Sequence, residues 1–250
     1  MKTPRLRTRR GVFLVPALFT VANIFFGFFS IVQSIRGEFA DAALAIGFAI
    51  LADLVDGRVA RFAGATSRFG KELDSLADMG SFGIAPAVLA WAWVLHAWPR
   101  VGWLVAALFS VCAAVRLARF NVGRISSDPR YYIGLSSPAA AAVVGAVVYW
   151  HPEPPGPGVP EAAVLFGILG LALMMNSPVR YLSFKGFATR NPHSHRALVI
   201  VAVFIVAALA EPVAVFAILA GGYFLSPLFP VVARLVRRTP AATDATPPVD

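Results

Sequence analysis

Cysteine is almost absent from this 250-residue chain. The single Cys112 lies in an apolar run, so no intramolecular disulfide and no cysteine-based metal cluster can form; its expected role is as a small packing residue. Charge is scarce too. Asp, Glu, Lys and Arg make up 14% of the residues, against about 25% in ordinary soluble domains. So little polar material cannot cover a soluble domain, whose outer shell must face water. Disorder is excluded by the opposite excess: 58% of residues are apolar, whereas disordered chains are poor in such residues. With a mean hydropathy of +0.72, a polytopic membrane protein is the class that remains.

Acidic residues are the scarcest charges, 13 against 22 basic ones, which leaves a net charge of +9. In a soluble protein such an excess points to nucleic acid or anionic surfaces. Here its placement gives another explanation. A window of about 20 mainly apolar residues marks spans at Val12–Ile35, Phe39–Phe62, Leu73–Leu95, Val101–Phe120, Leu135–Trp150, Ala162–Met175, Ala197–Leu209 and Pro212–Val236. With these eight spans, 20 of the 22 basic residues fall on one side, and only Arg36 and Arg100 fall on the other. Cytoplasmic loops carry the excess of Lys and Arg, so both termini are expected in the cytoplasm and no nucleic-acid partner is needed. The expected fold class is all-α, with about eight transmembrane helices. Residues 1–11 read as a basic cytoplasmic segment, 12–236 as the membrane domain and 237–250 as a disordered tail. The basic start and apolar run do not read as a signal peptide, because the run is too long and no small-x-small site follows it.

Acidic residues inside spans are expensive and mark function by default. Asp53, Asp56, Asp74 and Asp78 cluster at the cytoplasmic ends of the second and third spans. The first pair stands three apart and the second four apart, so each pair projects from one helical face. The two spans are expected to form an antiparallel hairpin that turns the pairs toward each other. Four carboxylates converging at low dielectric repel unless protonated or neutralised by cations. Hard oxygen ligands at this density suit Mg²⁺ or Mn²⁺, two ions being the expected number. Structural salt bridges to Arg58, Arg61 and Lys71 are the bland alternative, but they leave the small residues on the same face unexplained. Gly57 and Ala60 open a slot beside the acids, Arg61 can reach a phosphate, and Gly64 and Gly70 permit a tight turn between the spans.

The residues Asp53, Asp56, Gly57, Ala60, Arg61, Gly70, Asp74 and Asp78, at these spacings, match every fixed position of the signature of the CDP-alcohol phosphatidyltransferases, the family the chain resembles. The resemblance implies transfer of a phosphatidyl group from a CDP-linked lipid to an alcohol, with release of CMP. It makes Asp53, Asp56 and Asp74 metal ligands, and Asp78 the base that takes the proton of the attacking hydroxyl, with a contact to the second metal. Asp53, Gly57, Ala60, Arg61 and Gly70 would line the CDP-lipid site. It also suggests a homodimer.

The signature does not name the acceptor. Leu14–Phe28, Phe69–Pro86, Arg116–Asn121, Ile133–Ala140 and Val179–Lys185 resemble the integral-membrane phosphatidylserine synthases, a branch of that family. Ala17 departs from the branch, where Asn commonly follows the proline, and Thr20 or Asn23 can supply the missing polar contact near the nucleotide. Serine is a zwitterion whose carboxylate needs a cation. Arg116 and Arg119, three apart on one face, can supply a guanidinium fork, with Asn121 and Ser136 or Ser137 as further polar contacts. The expected substrates are therefore CDP-diacylglycerol and L-serine, met at the cytoplasmic face of the cell membrane. Glycerol 3-phosphate, inositol phosphate or choline are alternative acceptors. A cation-coupled transporter is a rival from another class, but its acids would sit near the bilayer midplane. His193 and His195 have no acidic partners and are set aside as ligands.

Overall fold

A computed structural model describes residues 14–62, 67–123 and 131–182, together with Gly222. The expected seventh and eighth spans, both termini and the tail lie outside the described residues. Six helical stretches stand where six spans are expected: α1 (Leu14–Arg36), α2 (Phe39–Phe62), α3 (Arg68–Asp78) running on into α4 (Ala85–Trp93), α5 (Gly102–Asn121), α6 (Ser137–Trp150) and α7 (Val159–Met175). Three of these stretches, Ala17–Arg36, Arg68–Trp93 and Gly102–Asn121, are long and apolar enough to cross a membrane. A short antiparallel ladder interrupts the all-helical expectation: β1 (Tyr131–Ile133) pairs with β2 (Arg180–Leu182). It joins two connections that a helical periodicity search does not see.

α1 carries the logic of the fold. Thr20, Asn23, Gly27, Ser30 and Ser34 recur at alternating spacings of three and four, and all are buried. Leu18, Val21, Phe25 and Phe28 on the other face are between 54% and 66% exposed. A helix that is polar and small inside and apolar outside is suited to lipid. There, association depends on close backbone approach and interhelical hydrogen bonds, since lipid supplies no hydrophobic drive between helices. The partner stripe is on α2, where Ala42, Ala45, Ala49 and Ala52 are at most 7% exposed and continue to Asp56. Thr20 Oγ1 donates to Asp56 Oδ2 at one end of the pair. Gln33 Nε2 donates to Asp41 Oδ2, at 3.5 Å, near the other.

The second and third spans do bring aspartates to face each other, as expected, but most of the packing on α2 comes from α1. α1, not α3, lies along α2, and α1 also packs on α3, the following turn and α4. Two further departures concern the third span. It begins at Arg68, five residues before the expected Leu73, because Ser67 caps it: Ser67 Oγ accepts from Gly70 N at 2.9 Å. Its first turn is polar, which hides it from a hydropathy window. Gly70 is accordingly helical and does not form the tight turn. The span also contains a π-helical segment, Met79–Ile84, directly after Asp78.

The two ends of the bundle differ in kind. Trp91, Trp98, Trp103 and Trp150 cluster at the end of α4, the start of α5 and the end of α6, and are 38–57% exposed, as an interfacial belt requires. Trp93 departs from the belt and is 3% exposed. The acids gather at the opposite end. There Gly134, at φ +81°, turns β1 into α6, and a Cβ on it would overlap the Met175 carbonyl. Cys112 is buried, as expected of a packing residue, and its carbonyl accepts from Asn176 Nδ2 at 3.0 Å.

Replacing a stripe residue tests the packing. Ala49→Leu places a branched side chain where the wild-type residue is fully buried, and overpacking costs about 1–3 kcal/mol. The variant should unfold at a clearly lower temperature in detergent. Phe25→Leu on the lipid face (62% exposed) should match the wild type.

Candidate active site

Asp53 near the end of α2 and Asp74 and Asp78 on α3 each present a carboxylate oxygen, and these three atoms lie within 4.8 Å of one another. Helical spacing accounts for the contribution of α3, since residues four apart share a face. The approach of α2 depends on α1, which touches both elements. All three aspartates are partly exposed, so the cluster opens to the outside at this end of the bundle.

Asp56 lies outside this set of three but acts electrostatically on Asp53 and Asp74. It is 6% exposed and its carboxylate accepts from Thr20. The expected set of four therefore resolves into a cluster of three and a buried neighbour held by α1. Asn23, one helical turn after Thr20, is fully buried and donates from Nδ2 to Asp78 Oδ1 at 3.4 Å. Thr20 and Asn23, expected near the nucleotide, both donate to these carboxylates. The side chains of Arg58 and Arg61, two of the basic partners considered for these aspartates, lie outside the described residues, and Lys71 is exposed.

Three carboxylates at this separation form a hard, anionic oxygen set, the chemistry that divalent Mg²⁺ or Mn²⁺ seeks. A second observation agrees: Asn23 Oδ1 is buried beside Asp78 with no hydrogen-bond donor, and a buried oxygen left unmatched is costly. The residues present thus fit a divalent cation.

α5 brings cationic groups to the same end. Arg116 is half-buried, interacts electrostatically with Asp78, and donates from Nη1 to Ser137 Oγ at 3.5 Å. Ser137 is fully buried at the start of α6. The other residues expected around the acceptor have different surroundings. Arg119 is exposed one turn further on. Asn121 Nδ2 donates to Ser75 Oγ at 2.9 Å, tying α5 to α3 next to Asp74. Ser136 caps α6, its Oγ accepting from Ala139 N at 3.3 Å. Gly57, Ala60 and Arg61 belong to α2, but their side chains lie outside the described residues.

Of three serines around the site, Ser75 and Ser110 were not singled out from the sequence, whereas Ser81 lies just past Asp78 in the Phe69–Pro86 stretch that carries the resemblance. Ser75 binds Asn121, Ser81 Oγ donates to the Asn23 carbonyl at 2.8 Å, and Ser110 Oγ donates to the Gly83 carbonyl at 3.0 Å. A hydroxyl inside an apolar span was the one available signal for Ser75 and Ser110.

Comparison with known proteins agrees with this geometry. Residues 13–178, more than half of the chain, match the family model described as CDP-alcohol phosphatidyltransferase. A CDP-diacylglycerol–serine O-phosphatidyltransferase of Helicobacter pylori is 40% identical over 179 residues, covering 70% of this chain and 74% of that protein. The Bacillus subtilis protein of the same name is 30% identical over 182 residues, covering 73% and 97%. An archaetidylserine synthase of Methanothermobacter thermautotrophicus is 31% identical over 174 residues, covering 69% and 71%. With its apolar spans and its acidic cluster in place, the chain belongs to the CDP-alcohol phosphatidyltransferase family and is an integral membrane enzyme.

Proposed function

We propose that this enzyme is a phosphatidylserine synthase, which transfers the phosphatidyl group of CDP-diacylglycerol to the hydroxyl of L-serine and releases CMP. The observation that carries the reading is the convergence of Asp53, Asp74 and Asp78 at the end of the bundle where Arg116 acts electrostatically on Asp78. The names of the similar proteins support serine as acceptor over glycerol 3-phosphate, inositol phosphate or choline. The full architecture we assign is eight spans in the cell membrane, with both termini and the active site on the cytoplasmic side. The charge distribution supports it, because the positive-inside rule puts the basic loops there. We further assign a homodimer and two ions of Mg²⁺ or Mn²⁺, with Asp53, Asp56, Asp74 and Asp78 as the residues that hold them.

The mechanism is a direct in-line displacement. Asp78 accepts the proton of the serine hydroxyl, and the oxygen forms a bond to the lipid-proximal phosphorus. The bond from that phosphorus to the bridging oxygen breaks, and CMP leaves with the electron pair. Divalent metal, when bound, supplies neutralisation of the pyrophosphate charge. Arg61, with Gly57 and Ala60 leaving room for the nucleotide, balances a phosphate. Arg116 takes the serine carboxylate, a charge-assisted contact that a guanidinium makes in bidentate form. Arg119, further out, draws the anionic substrate toward it.

Purified protein in mixed micelles with CDP-diacylglycerol, Mn²⁺ and L-serine should release CMP in step with phosphatidylserine, and a chelator should stop both. CMP release with another of the alcohols, but none with serine, would reassign the acceptor. Metal uptake into vesicles without CMP release would support a transporter instead. Asp78→Asn should lower kcat by about 10²–10⁴-fold, the usual contribution of a positioned base, while binding of CDP-diacylglycerol stays at the wild-type level. Arg116→Gln should act on the other substrate. The serine KM should rise about tenfold or more, in line with a charge-assisted bond worth about 1.5–3 kcal/mol, and the KM for the CDP-lipid should hold.

A further inference from the structure

The hydrogen bonds around the π-helical segment form a chain that ends on Asp78. Ser81 is fully buried, and its hydroxyl donates to the main-chain carbonyl of Asn23 on α1 at 2.8 Å. The side chain of that same Asn23 donates to Asp78 Oδ1 at 3.4 Å. The segment and α1 therefore meet at one residue, through its backbone on one side and its amide on the other. Catalytic hydrogen bonds are often long in the absence of substrate and tighten when it binds.

Two features make this contact specific. A Cβ on Gly27 would overlap the Ser81 side chain and lie 2.9 Å from the Ser81 Cα, so only glycine at 27 lets Ser81 sit this close to α1. On the far side, Ser110 of α5 donates to the Gly83 carbonyl at 3.0 Å, and a Cβ on Gly83 would meet Ala113 at 3.2 Å. The π-helical segment is thus clamped between α1 and α5 by two serine hydroxyls and two glycines. π-Helical turns inside α-helices occur often at functional sites, and this one begins at the residue after Asp78.

We propose that Ser81 is a positioning residue for Asp78. By holding the Asn23 carbonyl it fixes the Asn23 amide, which engages one oxygen of the Asp78 carboxylate and leaves the other for the substrate hydroxyl. Asn23 on this account orients the base and does not read the nucleotide. The inference rests on the reading of Asp78 as the base.

The test is a double-mutant cycle on the purified full-length enzyme, assayed for CMP release with both substrates varied. Ser81→Ala and Asn23→Ala should each lower kcat by about tenfold to a hundredfold, the range that small misplacements of reacting groups produce. For Ser81→Ala both KM values should stay within about twofold, because no binding contact is removed. The double variant should be no slower than Asn23→Ala alone, since both changes act on one bond. A Ser81→Ala enzyme with wild-type kcat overturns the proposal. So do effects that multiply in the double variant, or a CDP-lipid KM that rises in step with the loss of kcat. If Ser81→Ala does not fold, Ser81→Cys keeps a side chain there but donates only weakly; it should show the same loss of kcat, and full activity overturns the proposal. Asp78→Asn separates the two claims. An active Asp78→Asn enzyme removes the base itself, whereas an inactive one beside a fully active Ser81→Ala removes only the positioning role.

Discussion

The repulsion among three carboxylates is the constraint around which this protein is arranged. Oxygens of Asp53, Asp74 and Asp78 lie within 4.8 Å of one another. Two ionised groups at that distance repel by about 3 kcal/mol at an effective dielectric near 20. A membrane domain cannot relieve the strain by letting the groups drift into bulk water. It must hold them in place with elements that do not yield, and leave room for a cation to offset the charge. Both requirements act on the neighbours of the acids rather than on the acids themselves.

The neighbours meet them through small size and hydroxyl groups. The buried stripe of α1 lets its backbone approach α2 through a run of alanines, and the same stripe supplies Thr20 to Asp56 and Asn23 to Asp78. In lipid, a polar group facing the bundle interior stabilises helix pairing only if it finds a partner there. For Thr20 and Asn23 those partners are the clustered aspartates, so the contact that assembles the helices also orients the chemistry. α5 repeats the device from the opposite side, with Asn121 on Ser75 and Ser110 on Gly83. The acidic helix is held along its length by its neighbours, and the end that must bind substrate remains open.

Much of this was legible in the sequence, and the part that was not has a physical reason. Hydropathy located six helices, because the bilayer imposes a length on each. The four aspartates stood out because a charge in so apolar a chain demands an explanation. Which helix packs on which is not a matter of hydropathy. The stripe at Thr20, Asn23, Gly27, Ser30 and Ser34 did mark the packing face of α1, but as small size and polarity, which a search for apolar periodicity passes over. The early start of α3 was hidden by its polar first turn, and the π-helical segment has no signature in local composition. Asn121 and Ser136 were expected to contact substrate on the strength of their neighbours in sequence. Their side chains also serve as a helix tie and a helix cap.

The placement of Arg116 bears on why serine, among the possible acceptors, suits this site. In serine only two carbons separate the carboxyl carbon from the reacting hydroxyl oxygen. An acceptor held by its carboxylate therefore presents its nucleophile close to the anchoring cation, and anchor and base must be near neighbours. With Asp78 as the proposed base, Arg116 suits that condition, since it acts electrostatically on Asp78. Arg119 does not, because it is exposed one helical turn further along. Inositol phosphate, and choline with its quaternary ammonium, present no carboxylate to such an anchor. A guanidinium serving as the acceptor's anchor would leave choline with a repulsive contact and no compensating one. Glycerol 3-phosphate carries an anion, but its bulkier phosphate, with a bridging oxygen and an additional carbon before the terminal hydroxyl, requires an anchor set further from the base. An anchor at Arg116, acting at the same end of the bundle as Asp78, thus favours a small acceptor with an anion beside its nucleophile, and serine has that shape.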